Sequence, residues 1–175
     1  TGCGTTGEGD MLAALGYRYG TPEATEFSTE VHRQLALAYY SASVDMAEER
    51  GAFEIYDPER EKDNVYINRL KESDPALYER MCKVGRRNIA CLTIAPTGTT
   101  SLMTQTTSGI EPVFLPNYKR RRKVNPNDAD VTVDFVDEVG DAFEEYIVYH
   151  HKFLEWMRVK GLEVKKNMSA DEIEE

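Results

Sequence analysis

The chain has 175 residues and a mean hydropathy of -0.54, enough for one hydrophobic core and too polar for a chain that spans a membrane; no window approaches the roughly 18 consecutive apolar residues of a spanning helix. Thirty-one acids against 21 bases give a net charge of -10, which disfavours binding nucleic acid or an anionic membrane through bulk charge. The excess is local, since residues 126–175 hold fourteen acids and five bases while residues 1–125 are nearly balanced, so an anionic ligand is expected on the first 125. Cys3, Cys82 and Cys91 form no CxxC or Cys/His metal spacing, which fits a reducing cytoplasm and argues against a disulfide scaffold or structural zinc. No secretory leader pattern is visible. The start at Thr1 and the unfinished Ser169–Glu175 helix signal lead us to expect a single partial domain, residues 1–175, of a longer protein.

After a glycine-rich start (Gly2, Gly4, Gly7, Gly9), Asp10 is expected to N-cap a short helix over Met11–Leu15 that Gly16 stops. Thr21-Pro22-Glu23 opens a longer helix, expected to run to Arg50 and stop at Gly51, because proline fits the first helical turn and the acid meets the positive end of the dipole. Phe27, Val31, Leu35, Ala38, Ala42 and Met46 recur at steps of three and four, which predicts a buried stripe. Phe53–Leu70 reads as an irregular connector with a short helical piece at its end. Ser73-Asp74-Pro75 opens another helix that closes at Gly85. Asn88–Ile94 is short, largely apolar and expected as a buried strand ended by Pro96. Strands are expected at Tyr118–Val124 and Val131–Val133, separated by the turn signal Asn125-Pro126-Asn127-Asp128. Residues 134–160 read as a helix with Phe143, Ile147 and Leu154 on one side, stopped by Gly161 and followed by a capping box at Ser169 and Glu172. The order of elements favours an α/β architecture that is rich in helix, with a strand and loop at 88–112 and an acidic helical part at 134–175.

Chemistry points to residues 88–112. A strand that ends in Pro96-Thr97-Gly98-Thr99-Thr100-Ser101 offers backbone N–H groups and four hydroxyls at its carboxyl end. Such a turn suits a phosphate: Gly98 lets the backbone approach the oxygens, the hydroxyls donate, and a following helix adds its positive end. A plain polar turn between strand and helix has the same spacing.

The run NIACLTIAPTGTTSLMTQTTSGIEPVFLPNYKRRRKV closely resembles the phosphate-binding segment of ribonucleotide reductase large chains, and among these the adenosylcobalamin-dependent class II enzymes. The upstream GTTGEGDMLAALGYRYGTPEA and the downstream VDFVDEVGDAFEEYIVYHHKFLEWM are similar to the same family, so the likeness covers nearly the whole chain. It implies part of a ten-stranded α/β barrel and a radical enzyme that replaces the ribose 2′-hydroxyl with hydrogen, through a thiyl radical generated with adenosylcobalamin. It implies further that Pro96, Thr97, Gly98, Thr99, Thr100 and Ser101 hold the phosphates of a ribonucleotide di- or triphosphate. The remainder of the reductase chain and a second copy in a homodimer are the expected protein partners.

The departures from the family pattern matter as much. The radical motif Asn-x-Cys-x-Glu is missing, because Thr5, Val84 and Thr93 stand two residues after the three cysteines, and the redox cysteine pair has no counterpart. No catalytic residue is assigned, and the piece is expected to be inactive and self-associating alone. The alternatives are one subunit of a split reductase and a free-standing module that binds a nucleotide or a protein without catalysis. Glu111 is expected to make a structural hydrogen bond in preference to touching substrate. The basic run Lys119–Lys123 is expected as a solvated strand face in preference to a nucleotide-steering or chain-binding patch. His150 and His151 lack metal-ligand spacing, and His32 is expected at the surface of its helix.

Overall fold

A computed structural model describes residues 2–163. Ten elements follow in chain order: α1 (Glu8–Ala14), α2 (Pro22–Arg50), α3 (Pro58–Glu61), α4 (Val65–Ser73), α5 (Pro75–Val84), α6 (Gly98–Thr104), β1 (Asn117–Val124), β2 (Phe135–Val136), β3 (Ala142–Tyr149) and α7 (His151–Val159). The described residues group into two compact units, one of residues 2–6 and 11–97, the other of residues 7–10 and 98–163. The mixed helix and sheet agree with the α/β class. No helix among the described residues is long and apolar enough to cross a membrane.

The helix punctuation of the first unit acts as its residue types dictate. The Thr21 hydroxyl accepts the Ala24 N–H, Pro22 occupies the first turn, and the Gly51 N–H closes on the Ala47 carbonyl. Asp74 caps α5 through the Leu77 N–H, and Gly85 returns its N–H to Met81. The connector 53–70 is more ordered than its composition suggests. Asp57 and Asn64 cap α3 and α4 with their own side chains.

The buried line of α2 differs from the expected stripe. Phe27, Val31 and Leu35 are half-buried and Ala38, Ala42 and Met46 are exposed, whereas Ala24, Tyr40, Ser43, Val44 and Ala47 are buried. An apolar count misses tyrosine and serine: Tyr40 packs against the Tyr66 ring and the Arg86 guanidinium, and Ser43 is buried through what it bonds. The Ser43 hydroxyl donates to the Asn88 side chain and accepts the Asn88 N–H, both at 3.0 Å. Tyr40, Val44, Ile67, Leu70, Leu77, Met81 and Cys91 form the core where α2, α4 and α5 meet.

Arg86 lies inside that core, 2% exposed. Its guanidinium donates to both Glu61 carboxylate oxygens at 2.6 Å and to the carbonyls of Asn88 and Ile89 at 3.1 Å. The rings of Tyr40, Phe53 and Tyr56 surround it at 5.3–5.7 Å. Burial works to lower its pKa; the Glu61 hydrogen bonds override this and leave it raised.

Asn88–Ile94 is not the buried strand expected. Ile89 and Ile94 are exposed, and the segment pairs only through a parallel bridge from Cys3 to Leu92, with Cys3 N–H to Cys91 O at 2.8 Å and Thr93 N–H to Cys3 O at 2.9 Å. A single bridge cannot extend into a ladder, because no other extended segment of this unit pairs with it among the described residues. The glycine-rich start makes even that approach feasible: a Cβ on Gly4 would lie 1.9 Å from the Thr93 carbonyl oxygen.

In the second unit β1 and β2 flank β3 in an antiparallel sheet of order β1-β3-β2. The helix expected over 134–160 is therefore corrected: its middle is β3, and only 151–159 is helical. Phe143, Tyr146, Ile147, Val148 and Tyr149 concentrate aromatic and β-branched residues, and the basic strand opposite supplies their neighbours with counter-charges. Val131–Val133 is irregular, with β2 starting two residues later. The capping box at Ser169 and Glu172 lies outside the described residues.

Two predictions follow from the Arg86 core. Glu61→Ala strands a buried guanidinium and should cost about 3 kcal/mol in urea unfolding, and adding Arg86→Met should recover part of that loss, since the pair is removed together. Tyr40 and Tyr56 are pushed up to about 12, by burial above all, against about 10 unfolded. Between those values the unfolded chain binds fewer protons, so stability should fall as pH rises from about 10 to about 12. Burial raises Tyr66 as well, and the Cys82 hydrogen bond raises Tyr78, so a tyrosinate absorbance titration should show a late-ionising group of phenols that includes Tyr40 and Tyr56, and urea midpoints across that window should decline.

Candidate functional site

The extended segment that carries Cys91 reaches Pro96 and then breaks direction at Thr97, whose φ is 43°. A β-branched residue in the left-handed region is strained. The Thr97 hydroxyl is hydrogen-bonded to that of Thr6 at 3.1 Å. Gly98 begins α6, so the expected loop 97–101 is mostly the first turn of a helix. The N–H groups of a first turn have no acceptor inside their own helix. Thr99 and Thr100 are exposed, and a Cβ placed on Gly98 would meet nothing within 4 Å.

Ser101 is different from its neighbours. It is 7% exposed, and its hydroxyl donates to the Gly98 carbonyl at 2.8 Å, so it holds the turn together from within. The six residues named from the sequence thus divide into a strained entry (Pro96, Thr97), an open face (Gly98, Thr99, Thr100) and an internal brace (Ser101).

The segment after α6 rests on the first turn of α1. Asp10 does not cap that helix, which starts at Glu8. Its carboxylate instead accepts the Thr107 N–H at 2.8 Å and meets His150 Nε2 at 2.8 Å. Gly9 is buried against the backbone of Glu111 and Pro112. The Glu111 N–H bonds to the Ser108 carbonyl at 3.3 Å, and the residue is otherwise exposed, its carboxylate folded back beside Gly109.

The basic run lies in β1, and four of its five charges pair across the sheet. Lys119 and Arg121 hold Glu145 at 3.0 and 2.6 Å, Lys123 holds Asp141 at 2.5 Å, and Arg122 pairs with Glu144. Hydrogen bonds from Lys119 and Arg121 lower the Glu145 pKa. Arg121 also stacks over Phe135 of β2 at 4.5 Å. The local acid excess after residue 126 is partly neutralised by this strand. His150 precedes α7 and is tied to Asp10, while His151 is exposed and His32 half-buried. Among the described residues no three His, Cys, Asp or Glu side chains group as metal ligands. Arg86 and the Asp10–His150 pair were not singled out from the sequence; the members of the latter lie 140 positions apart, and no local spacing announces them.

Comparison with known proteins places these features in a family context. Residues 1–167 match the model of the ribonucleotide reductase barrel domain. The chain is similar to a vitamin B12-dependent ribonucleoside-diphosphate reductase of Mycobacterium tuberculosis, 37% identical over 68% of this chain and 14% of the relative. A protein of the same description from Thermoplasma acidophilum is 34% identical over 65% of this chain and 12% of the relative. The ribonucleoside-diphosphate reductase subunit alpha of Treponema pallidum is 26% identical over 70% and 15%. The chain thus spans only a small part of the length of these relatives.

The close approach at Gly9 can be tested directly. In Gly9→Ala the new Cβ would lie 2.5 Å from the Glu111 carbonyl oxygen and 2.6 Å from Pro112 Cα, so the variant should lose about 1–3 kcal/mol in urea unfolding. Amide exchange at Thr107 should accelerate with it.

Proposed function

Because the chain belongs to the ribonucleotide reductase barrel-domain family, we propose that it is the part of a complete reductase that grips the phosphates of the ribonucleotide substrate. The complete enzyme converts ribonucleotides to deoxyribonucleotides by a thiyl radical mechanism. The radical cysteine belongs to the remainder of the reductase, and this chain supplies binding without chemistry of its own.

The observation that carries the reading is the turn 96–101. In the first turn of α6 the N–H groups have no acceptor inside their own helix, and Thr99 and Thr100 are exposed. Neutral donors of this kind bind phosphate without a fixed positive charge. Ser101 braces the first turn by its bond to the Gly98 carbonyl.

The relatives described as vitamin B12-dependent favour adenosylcobalamin as the cofactor of the complete enzyme, where it would start the radical chemistry. The two clefts beside Leu92 measure about 370 Å³ each, and an open groove along α2 is lined by Gly20, Pro22, Thr25, Glu26, Thr29 and Glu30. No residue of this chain is assigned a role toward the cofactor.

In the complete reductase, Thr99→Val combined with Thr100→Val should weaken nucleotide binding by about 1–3 kcal/mol through lost hydrogen bonds to phosphate. Equilibrium dialysis against CDP reads this out, and an unchanged dissociation constant would overturn the assignment.

A further inference from the structure

The end of α6 is held by a side chain from the start of the sequence. After Thr104, Gln105 takes a left-handed φ of 56° and the Thr106 N–H returns to the Ser101 carbonyl at 3.1 Å. The next N–H, that of Thr107, donates to Asp10 Oδ2. The other oxygen of the same carboxylate faces His150 Nε2. Both side chains are largely buried, Asp10 at 11% and His150 at 17% exposure.

A carboxylate only accepts hydrogen bonds, so the proton in this contact sits on Nε2 of the imidazole. His150 is itself fixed at both ends of its backbone. Its N–H donates to the Pro116 carbonyl at 2.9 Å, and its carbonyl receives the Leu154 N–H at 3.1 Å in the first turn of α7. The imidazole therefore has little freedom to leave Asp10, and Asp10 has little freedom to leave Thr107.

We propose that Asp10 and His150 are positioning residues for substrate phosphate: the carboxylate, oriented by the imidazole, anchors the C-terminal end of α6 and thereby aims Thr99 and Thr100 at its other end. The inference rests on the reading of 96–101 as the phosphate segment. α6 has seven residues and is about 10 Å long; a rigid element of that length, fixed at one end, has its other end fixed in direction. Release of the anchor lets the N-terminal turn swing by an ångström or more, enough to spoil hydrogen bonds to a phosphate. Neither residue belongs to the phosphate segment, so their loss should appear in binding and leave the chemical step alone.

The test uses the complete reductase with CDP, reading KM, kcat and the dissociation constant from equilibrium dialysis. His150→Leu should raise KM and the dissociation constant about tenfold with kcat within about twofold. His150→Gln places an amide N–H near the former Nε2 and should restore KM to within about twofold of the parent. Asp10→Asn presents one oxygen to two donors, and should raise KM severalfold even where His150→Leu fails to fold. Equal loss of binding in His150→Leu and His150→Gln would mean a packing role and overturn the proposal, as would a fall in kcat at unchanged KM. Unchanged binding in both His150→Leu and Asp10→Asn, with binding weakened in the Thr99 and Thr100 double variant, would overturn the positioning role and keep the phosphate reading. If the threonine variant also binds normally, both readings fall together.

Discussion

A guanidinium that cannot reach water organises the first unit. Arg86 is closed in by three aromatic rings and satisfied by one carboxylate and two carbonyls, and a charge in such surroundings tolerates no missing partner. Each partner comes from a different stretch of chain: Glu61 from α3, Tyr40 from α2, Phe53 and Tyr56 from the connector, and the two carbonyls from the segment that leads to Cys91. The desolvation cost of the charge is thereby converted into a requirement that these stretches arrive together. The neighbouring contacts have the same effect, since the Phe53 N–H bonds to the Arg86 carbonyl at 3.1 Å and the Arg87 N–H to that of Ser43 at 2.9 Å. The path of residues 86–91 is fixed by polar bonds as much as by apolar burial.

That distribution explains which parts of the fold the sequence announces. Capping signals depend on residues within four positions of each other, and Thr21, Asp74, Gly51 and Gly85 mark helix ends where the structure has them. The register of burial along α2 depends on partners dozens of residues away. Tyr40 is buried because α4 and α5 and the Arg86 charge meet it, and Ser43 because Asn88 satisfies its hydroxyl; a hydropathy count sees neither. The segment 134–160 misleads for a related reason. Its apolar spacing fits a helix, but Ala142–Tyr149 finds a strand of opposite charge at the matching register, with Arg121 opposite Glu145 and Arg122 opposite Glu144. Cross-strand pairing, invisible in a single segment, decides the contest.

The candidate site shows the same division. The Thr-rich turn is legible because its chemistry is contiguous, and the family likeness rests on contiguous residues too. What holds the turn is not contiguous: Asp10 and His150 stand at opposite ends of the chain, and their significance emerges only when the fold brings them to Thr107. Gly9 is a partial exception. A glycine beside a helix start hints at close approach, yet only the structure identifies the Glu111 and Pro112 backbone as what it approaches.

On the proposed reading an acidic chain binds an anion and needs a local solution, and four of the five charges of the basic run are already committed. Four residues of the basic run pair with Asp141, Glu144 and Glu145 across the sheet, which leaves that strand a stabilising role and a soluble, charge-studded edge. On the proposed reading, phosphate is gripped instead by neutral N–H and O–H donors of α6. Such donors act over short range and gain strength only when held in place, because a dipole misaligned by tens of degrees contributes little where a point charge would still attract. Precision of placement then substitutes for net charge. The brace of Ser101 on Gly98 and the anchored Thr107 after the helix both serve that requirement, each restricting one end of the same seven-residue helix.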